Sequence, residues 1–291
     1  MRICSLLPSA TEIVAELGLL DSLVGISEEC AWPPGVGSKP RVTTAKIDSA
    51  RLTSAEIERV VQASVGDGHS LYTVSAELLD ELRPDVLITQ DLCTVCAVSS
   101  GDLATACPVG AEVISLDPGT LGEVAETVAL LGDRLGVAAR AKQVVDEMLG
   151  KIESVRIATR GMPRPRTFVA EWIDPPYCGG HWVPEMITAA GGDDVMGVHA
   201  APSFPTTWDD VLARNPDIVV LAPCGFLAPD AAGRAADLRL PCRVVAVDAD
   251  RYYSRPGPRL ADGVAQLGHL LHPDAVPNPG LAAIELELAA G

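Results

Sequence analysis

A chain of 291 residues with a formal net charge of −17 lacks the concentrated Lys and Arg that nucleic acid or an anionic membrane surface would require. Its length accommodates two ordinary α/β domains with real cores. No apolar run approaches the roughly 18–20 residues of a membrane span, so no insertion into a bilayer is expected.

In chain order, "RICSLL" followed by "PSATEIVAELGL" reads as strand, turn and helix, with Ser9 and Glu12 spaced as a capping box and Gly18 as the stop. "SLVGIS" (22–27), "PDVLIT" and "AEVISLD" (111–117) read as strands, and "SAEIERVVQASV" and "SAELLDELR" as helices. The alternation predicts a parallel, doubly wound sheet, giving an N-terminal α/β lobe over 1–120. Residues 121–162 change to long helical periodicity. The stretch "VAARAKQVVDEMLGKIESVRIATR" would span roughly 36 Å as one helix, and is read as a rigid spacer joining two lobes. Alternation resumes in "RTFVAEW", "VPEMITAAGG", "WDDVLAR", "PDIVVLA", "CRVVAVD" and "RLADGVAQLGHLL", giving a C-terminal α/β lobe over 163–291. Pro84-Asp85 and Pro216-Asp217 sit at matching places before an apolar run that leads to a cysteine, which suggests an internal duplication.

Ligands of open parallel sheets bind beyond the carboxyl ends of the strands, and the residues there are unusual. The chain has four Trp, four Tyr and three Phe. All but Phe168 fall in predicted loops or at element ends: Trp32, Tyr72, Trp172, Tyr177, Trp182, Phe204, Trp208, Phe226, Tyr252 and Tyr253. Aromatics normally dominate cores. Their exclusion here points to a pocket for a sizeable, flat or apolar ligand, although plugging of loop interfaces accounts for some of them. Arg255 could bind an anionic group or cap carbonyls.

Cysteine is biased in the same way. Cys30, Cys93, Cys96, Cys178 and Cys224 follow predicted strands, as does His181, and Cys93-x-x-Cys96 has ligand spacing. Convergence of these residues would hold zinc or an iron–sulfur cluster; buried or adventitious thiols are the plainer alternative. The first residues offer no signal-peptide apolar region, so the expected compartment is the cytoplasm. Its reducing conditions would keep the eight cysteines as thiols or ligands. No Gly-x-x-x-x-Gly-Lys-Ser/Thr or Gly-x-Gly-x-x-Gly loop is present, so nucleotide binding is not indicated.

"RICSLLPSATEIVAELGLLDSLVGIS", "WPP" and "LRPDVLIT" resemble the first lobe of the periplasmic cobalamin (vitamin B12)-binding proteins of ABC importers. "TFVAEWIDPPYCGGHWVPEMITAAGGDDV", "TWDDVLARNPDIVVL" and "YYSRPGPRLADGVAQL" resemble the second. The resemblance implies two lobes joined by a rigid helix, with a corrinoid or similar macrocycle held between them by aromatic side chains. It maps Trp32, Trp172, Pro176, Trp208, Tyr252, Tyr253 and Arg255 onto the binding surface. It also implies a binding protein rather than an enzyme, with an ABC permease as partner if a leader was removed. Residues 46–76 look like an insertion. The segment "QDLCTVCA" resembles a cytoplasmic-looking, cysteine-containing subgroup. This leaves a second expectation, that the same fold serves catalysis or sensing through a cysteine-ligated metal.

Overall fold

The computed structural model describes residues 1–66, 71–90 and 110–287. They fall into two compact units: Met1–Pro118 with Glu126–Val145, and Gly119–Ala125 with Asp146–Gly291. The division passes through helices α4 (Leu121–Arg134) and α5 (Ala138–Ala158), so each contributes to both units.

Unit 1 runs β1 (Ile3–Ser5), α1 (Pro8–Glu16), β2 (Leu23–Ile26), β3 (Thr43–Ala45), α2 (Ser54–Gly66), β4 (Tyr72–Val74), α3 (Ala76–Leu82), β5 (Val86–Thr89) and β6 (Glu112–Ser115). Strands β2-β1-β5-β6 form a parallel sheet in that order. The short continuous apolar runs of β1 and β5 are buried on both faces, as central parallel strands require. Ile3 and Ile88 pack with Ile13 of α1, Leu131 of α4 and Val144 of α5. On the other face Cys4 and Leu87 pack with Leu79 of α3 and Val42. The β3–β4 pair is antiparallel; α2 and β4 lie in the segment read as an insertion and β3 just before it.

The predicted capping box at Ser9 and Glu12 does not form. The N-cap is Leu7 and Pro8 takes the first helical position, where its missing N–H costs nothing, so Ser9 lies inside the helix. The stop is as expected. Gly18 has φ +79°, its N–H reaches Ala15 O at 2.9 Å and Leu19 N–H reaches Val14 O at 3.0 Å. This is the paired bonding of a left-handed glycine cap.

Unit 2 runs β7 (Arg166–Ile173), β8 (Pro176–Cys178), α6 (Val183–Ala189), β9 (Asp193–Asp194), β10 (Phe204–Pro205), α7 (Trp208–Ala213), β11 (Ile218–Leu221), α8 (Ala228–Arg234), β12 (Arg243–Val247), α9 (Ala249–Tyr252), α10 (Leu260–Leu271) and β13 (Ala283–Leu286). Its sheet order is β10-β8-β7-β11-β12-β13, with β9 beside β7. Strands β7, β11 and β12 are parallel, but β8 and β13 are antiparallel additions at the flanks. The link from β7 to β8 is two residues, too short for the crossover of a dozen or more that a parallel pair needs.

The duplication suggested by the Pro-Asp pairs has a structural counterpart. In unit 1 the Asp85 carboxylate accepts the Arg2 N–H at 2.7 Å and the Arg2 guanidinium donates to Leu82 O at 2.6 Å. In unit 2 the Asp217 carboxylate accepts the Arg166 N–H at 2.7 Å and the Arg166 guanidinium donates to Arg214 O at 2.6 Å. Arg83 and Asn215, each just before the proline, share the left-handed backbone (φ 41° and 48°). Each Asp thus locks the start of the first strand of its unit to the strand that follows it in the sheet.

One helix approach in unit 2 is closed to any side chain. A Cβ on Gly263 of α10 would lie 2.2 Å from Tyr252 O and 2.7 Å from Met186 Cε. Gly263→Ala is therefore expected to force α10 off α9 and α6 and cost about 1–3 kcal/mol. A urea melt reads this loss, and an unchanged midpoint would contradict the close approach.

Candidate functional site

Because all four strands of its main sheet are parallel, unit 1 presents their carboxyl ends along one edge. There lie the start of α1, residues 27–32 after β2, Thr89 at the end of β5 with Gln90 after it, and Leu116 and Asp117 after β6. The loop after β2 is tied down: Glu28 N–H donates to Thr43 Oγ1 at 2.9 Å, the Glu28 carboxylate accepts the Ala45 N–H and the Arg41 guanidinium donates to Glu28 O. Trp32 stands beyond it, 37% exposed. Tyr72 lies in β4 and packs partly on the Cys4–Leu87 core.

In unit 2 the carboxyl ends of β7, β11 and β12 bring together residues distant in sequence. The rings of Trp172 and Phe226 are 5.8 Å apart at 51°, and the Arg234 guanidinium lies 4.1 Å over Phe226. Arg255 Nη2 donates to both oxygens of Asp250 at 2.7 and 2.8 Å, and both side chains are largely buried. Asp250 N–H donates to Phe226 O at 3.1 Å. The Arg259 guanidinium covers Tyr252 at 4.7 Å.

Other expected ligand contacts are committed to the core. Trp182 is 6% exposed and donates its indole N–H to Tyr253 O at 2.7 Å. Tyr253 is 1% exposed, with its hydroxyl 3.0 Å from Gln266 Oε1; burial raises its phenol well above the ordinary range. Pro176 is buried within β8, paired with Ile173. Trp208 packs edge-on against Phe168 at 6.2 Å, on the face of the sheet that buries Val219 and Val211. Trp182 and Tyr253 are candidates by position after strands, Pro176 and Trp208 by the resemblance. Hydrogen bonds hold the first two inward, the β7–β8 register buries Pro176, and Trp208 is half-buried against Phe168.

The metal expectation is not supported. Cys30 is buried in unit 1, its Sγ 3.0 Å from Thr11 Oγ1, whereas Cys224 is exposed in unit 2. Cys93 and Cys96 lie outside the described residues. His181 adopts φ 50°, stacks at 5.6 Å on Trp182 and has its Nε2 buried without a hydrogen-bond partner among the described residues. Burial pulls its pKa down. Among the described residues no group of three or more His, Cys, Asp or Glu could hold a metal ion. Burial also pushes the thiols of Cys4 and Cys178 up, to about 12 and about 11, which leaves both as inert core groups.

One carboxylate beside Cys178 is under strain of a different kind. Asp194 Oδ1 accepts the N–H groups of Met196 and Gly197 at 3.1 and 2.9 Å, but Oδ2 is buried with no partner among the described residues. Burial raises its pKa, so at pH values between the unfolded and the folded pKa the folded state binds more proton than the unfolded chain. Stability is then expected to fall as pH rises from the ordinary carboxylate value of 3.8 through the raised one. Asp194→Asn should lack that decline in urea melts over the same window, whereas an identical pH slope would contradict it.

Unit 2 also has a groove of about 650 Å³ between α5 and α6, with Leu149, Ile152 and Pro184 among its walls. None of the candidate aromatic residues lines it. At its rim the Glu185 carboxylate accepts the Leu121 N–H at 2.7 Å and meets His199 Nε2 at 2.7 Å.

A family model described as periplasmic binding protein matches residues 3–239. The chain is 23% identical over 273 residues to a vitamin B12-binding protein of Vibrio cholerae, covering 91% of this chain and 87% of that one. It is 25% identical to an ABC transporter substrate-binding lipoprotein of Bacillus subtilis, covering 94% and 80%. Among solved structures, a periplasmic haem-binding protein of Pseudomonas aeruginosa superimposes with TM-score 0.73 at 19% identity, covering 99% of both chains. The family and the lipoprotein relative overturn the expected cytoplasmic location and point outside the cytoplasm. The expectation rested on the first residues of the sequence, which form β1 and α1. The likenesses also give no support to the cysteine-containing subgroup or to a catalytic role.

Proposed function

Since the chain belongs to the periplasmic binding protein family, we propose that it captures a corrinoid at the carboxyl ends of its strands for an ABC permease. The observation that carries this reading is the Trp172–Phe226 pair at the β7 and β11 ends, an apolar surface suited to a large, flat ligand. The Arg255–Asp250 pair supports a corrinoid over a porphyrin. Arg255 is already neutralised through both oxygens of Asp250, and the whole chain is strongly acidic. A cobalamin periphery of neutral amides suits that setting better than the two carboxylates of haem. The vitamin B12-binding relative, matched over most of both chains, supports the same choice, while the haem-binding neighbour supports the fold.

Trp32 serves the same purpose in unit 1, as the exposed ring beyond β2. Calorimetric titration with cyanocobalamin and with haemin is expected to give tighter binding of the former. Tight haemin binding with no cyanocobalamin heat would replace the corrinoid by a porphyrin, and heat from neither would remove both.

A further inference from the structure

We infer that Arg234 is a positioning residue for ligand capture, acting through Phe226 on Trp172; this deepens the reading that ligand meets the Trp172 surface. Phe226 is fixed along its backbone. Its N–H closes a turn on Pro223 O at 3.1 Å, its carbonyl accepts the Asp250 N–H at 3.1 Å, and Cys224 N–H donates to Glu171 O at 3.0 Å. Gly225, at φ +81°, supplies the left-handed residue the turn needs. Those bonds set where the ring starts, not how it faces.

The facing of the ring is set by its neighbours, Trp172 at 5.8 Å and the Arg234 guanidinium at 4.1 Å. Arg234 reaches that place because α8 is anchored at its start and buried along one side. Ala228 N–H is anchored on the buried Asp248 carboxylate at 2.8 Å, and Ala231 and Ala235 are buried in the core. The last residue of the helix is thereby returned over the ring that precedes its first turn. A planar cation on an aromatic face gives attraction with a defined geometry, so the guanidinium holds Phe226 against Trp172 before any ligand arrives. A ligand then meets a surface already ordered, which favours affinity without any direct contact from Arg234.

The test is a mutant cycle read twice. In the ligand-free protein, Arg234→Ala is expected to change the tryptophan fluorescence and near-ultraviolet dichroism, and the change should vanish in a Trp172→Phe background. In titrations with cyanocobalamin, Arg234→Ala should weaken binding about five- to tenfold with the thermal midpoint preserved, and Arg234→Lys should recover part of the loss. If Arg234→Ala does not fold, Arg234→Lys is read in its place and should show a smaller change of the same sign. A tryptophan signal that does not respond to Arg234, or one that responds while affinity stays unchanged, would overturn the assignment. Failure of the unmodified protein to bind cyanocobalamin would overturn the ligand reading instead, and the ligand-free cycle would still decide whether Arg234 sets Trp172.

Discussion

Truncation of Trp182 to Ala is expected to lower the unfolding free energy by about 3–5 kcal/mol, the range for deleting a large buried aromatic. The side chain is 6% exposed and stands at the head of a relay. Its indole N–H bonds Tyr253 O, the Tyr253 hydroxyl bonds Gln266 Oε1, and Gln266 Nε2 donates to Ala282 O at 2.9 Å. One polar chain thus joins the start of α6, the residue after α9, the middle of α10 and the approach to β13. Trp182→Phe keeps most of the volume but leaves the Tyr253 carbonyl without its donor, at about 1–3 kcal/mol. Urea melts separate the two variants. The ligand affinity of Trp182→Phe should be that of the unmodified protein, since the ring is not on the binding surface. A small stability loss combined with a large affinity loss would return Trp182 to the site.

Trp172→Ala should behave in the opposite way. The ring is half-buried, at the carboxyl end of β7, and lies against the ring of Phe226. Removing a stacking surface of this kind costs about 1–3 kcal/mol of binding, a loss of roughly 5- to 150-fold in affinity. Trp172→Phe should retain part of it, and folding stability should change less than in Trp182→Ala. Titration with cyanocobalamin reads the effect. Unchanged affinity in Trp172→Ala would remove the unit 2 platform from the account.

The contrast between these two tryptophans marks what the sequence could convey. Trp172 lies at the end of β7 and Trp182 nine positions beyond that end, and both stand among the aromatic residues that the sequence keeps out of the predicted core. Which one is buried depends on a bond to Tyr253, 71 residues away, and no local pattern encodes that pairing. Repeated local grammar was legible. The Pro-Asp dipeptides before β5 and β11 marked equivalent locks in both units, and the apolar runs of β1, β5 and β11 marked central strands. The antiparallel flank formed by β8 was not, because Pro176, Tyr177 and Cys178 looked like a loop while the two-residue turn before them was unrecognised. Ser9 and Glu12 imitated a cap that Pro8 had already displaced. Cysteine spacing suggested ligation, yet Cys30 is occupied with Thr11 inside unit 1 and Cys224 stands exposed on unit 2. Arg234 carried no signal at all, since its importance comes from the short helix that returns it over Phe226.

The most direct measurement is hydrogen–deuterium exchange of the protein with and without saturating cyanocobalamin. Ligand should slow exchange in residues 27–32 of unit 1 and in residues 172–174, 222–226 and 248–255 of unit 2, the segments beyond the strand carboxyl ends. Slowing confined to residues 149–156 and 184–188, around the groove between α5 and α6, would place the ligand elsewhere and contradict the account.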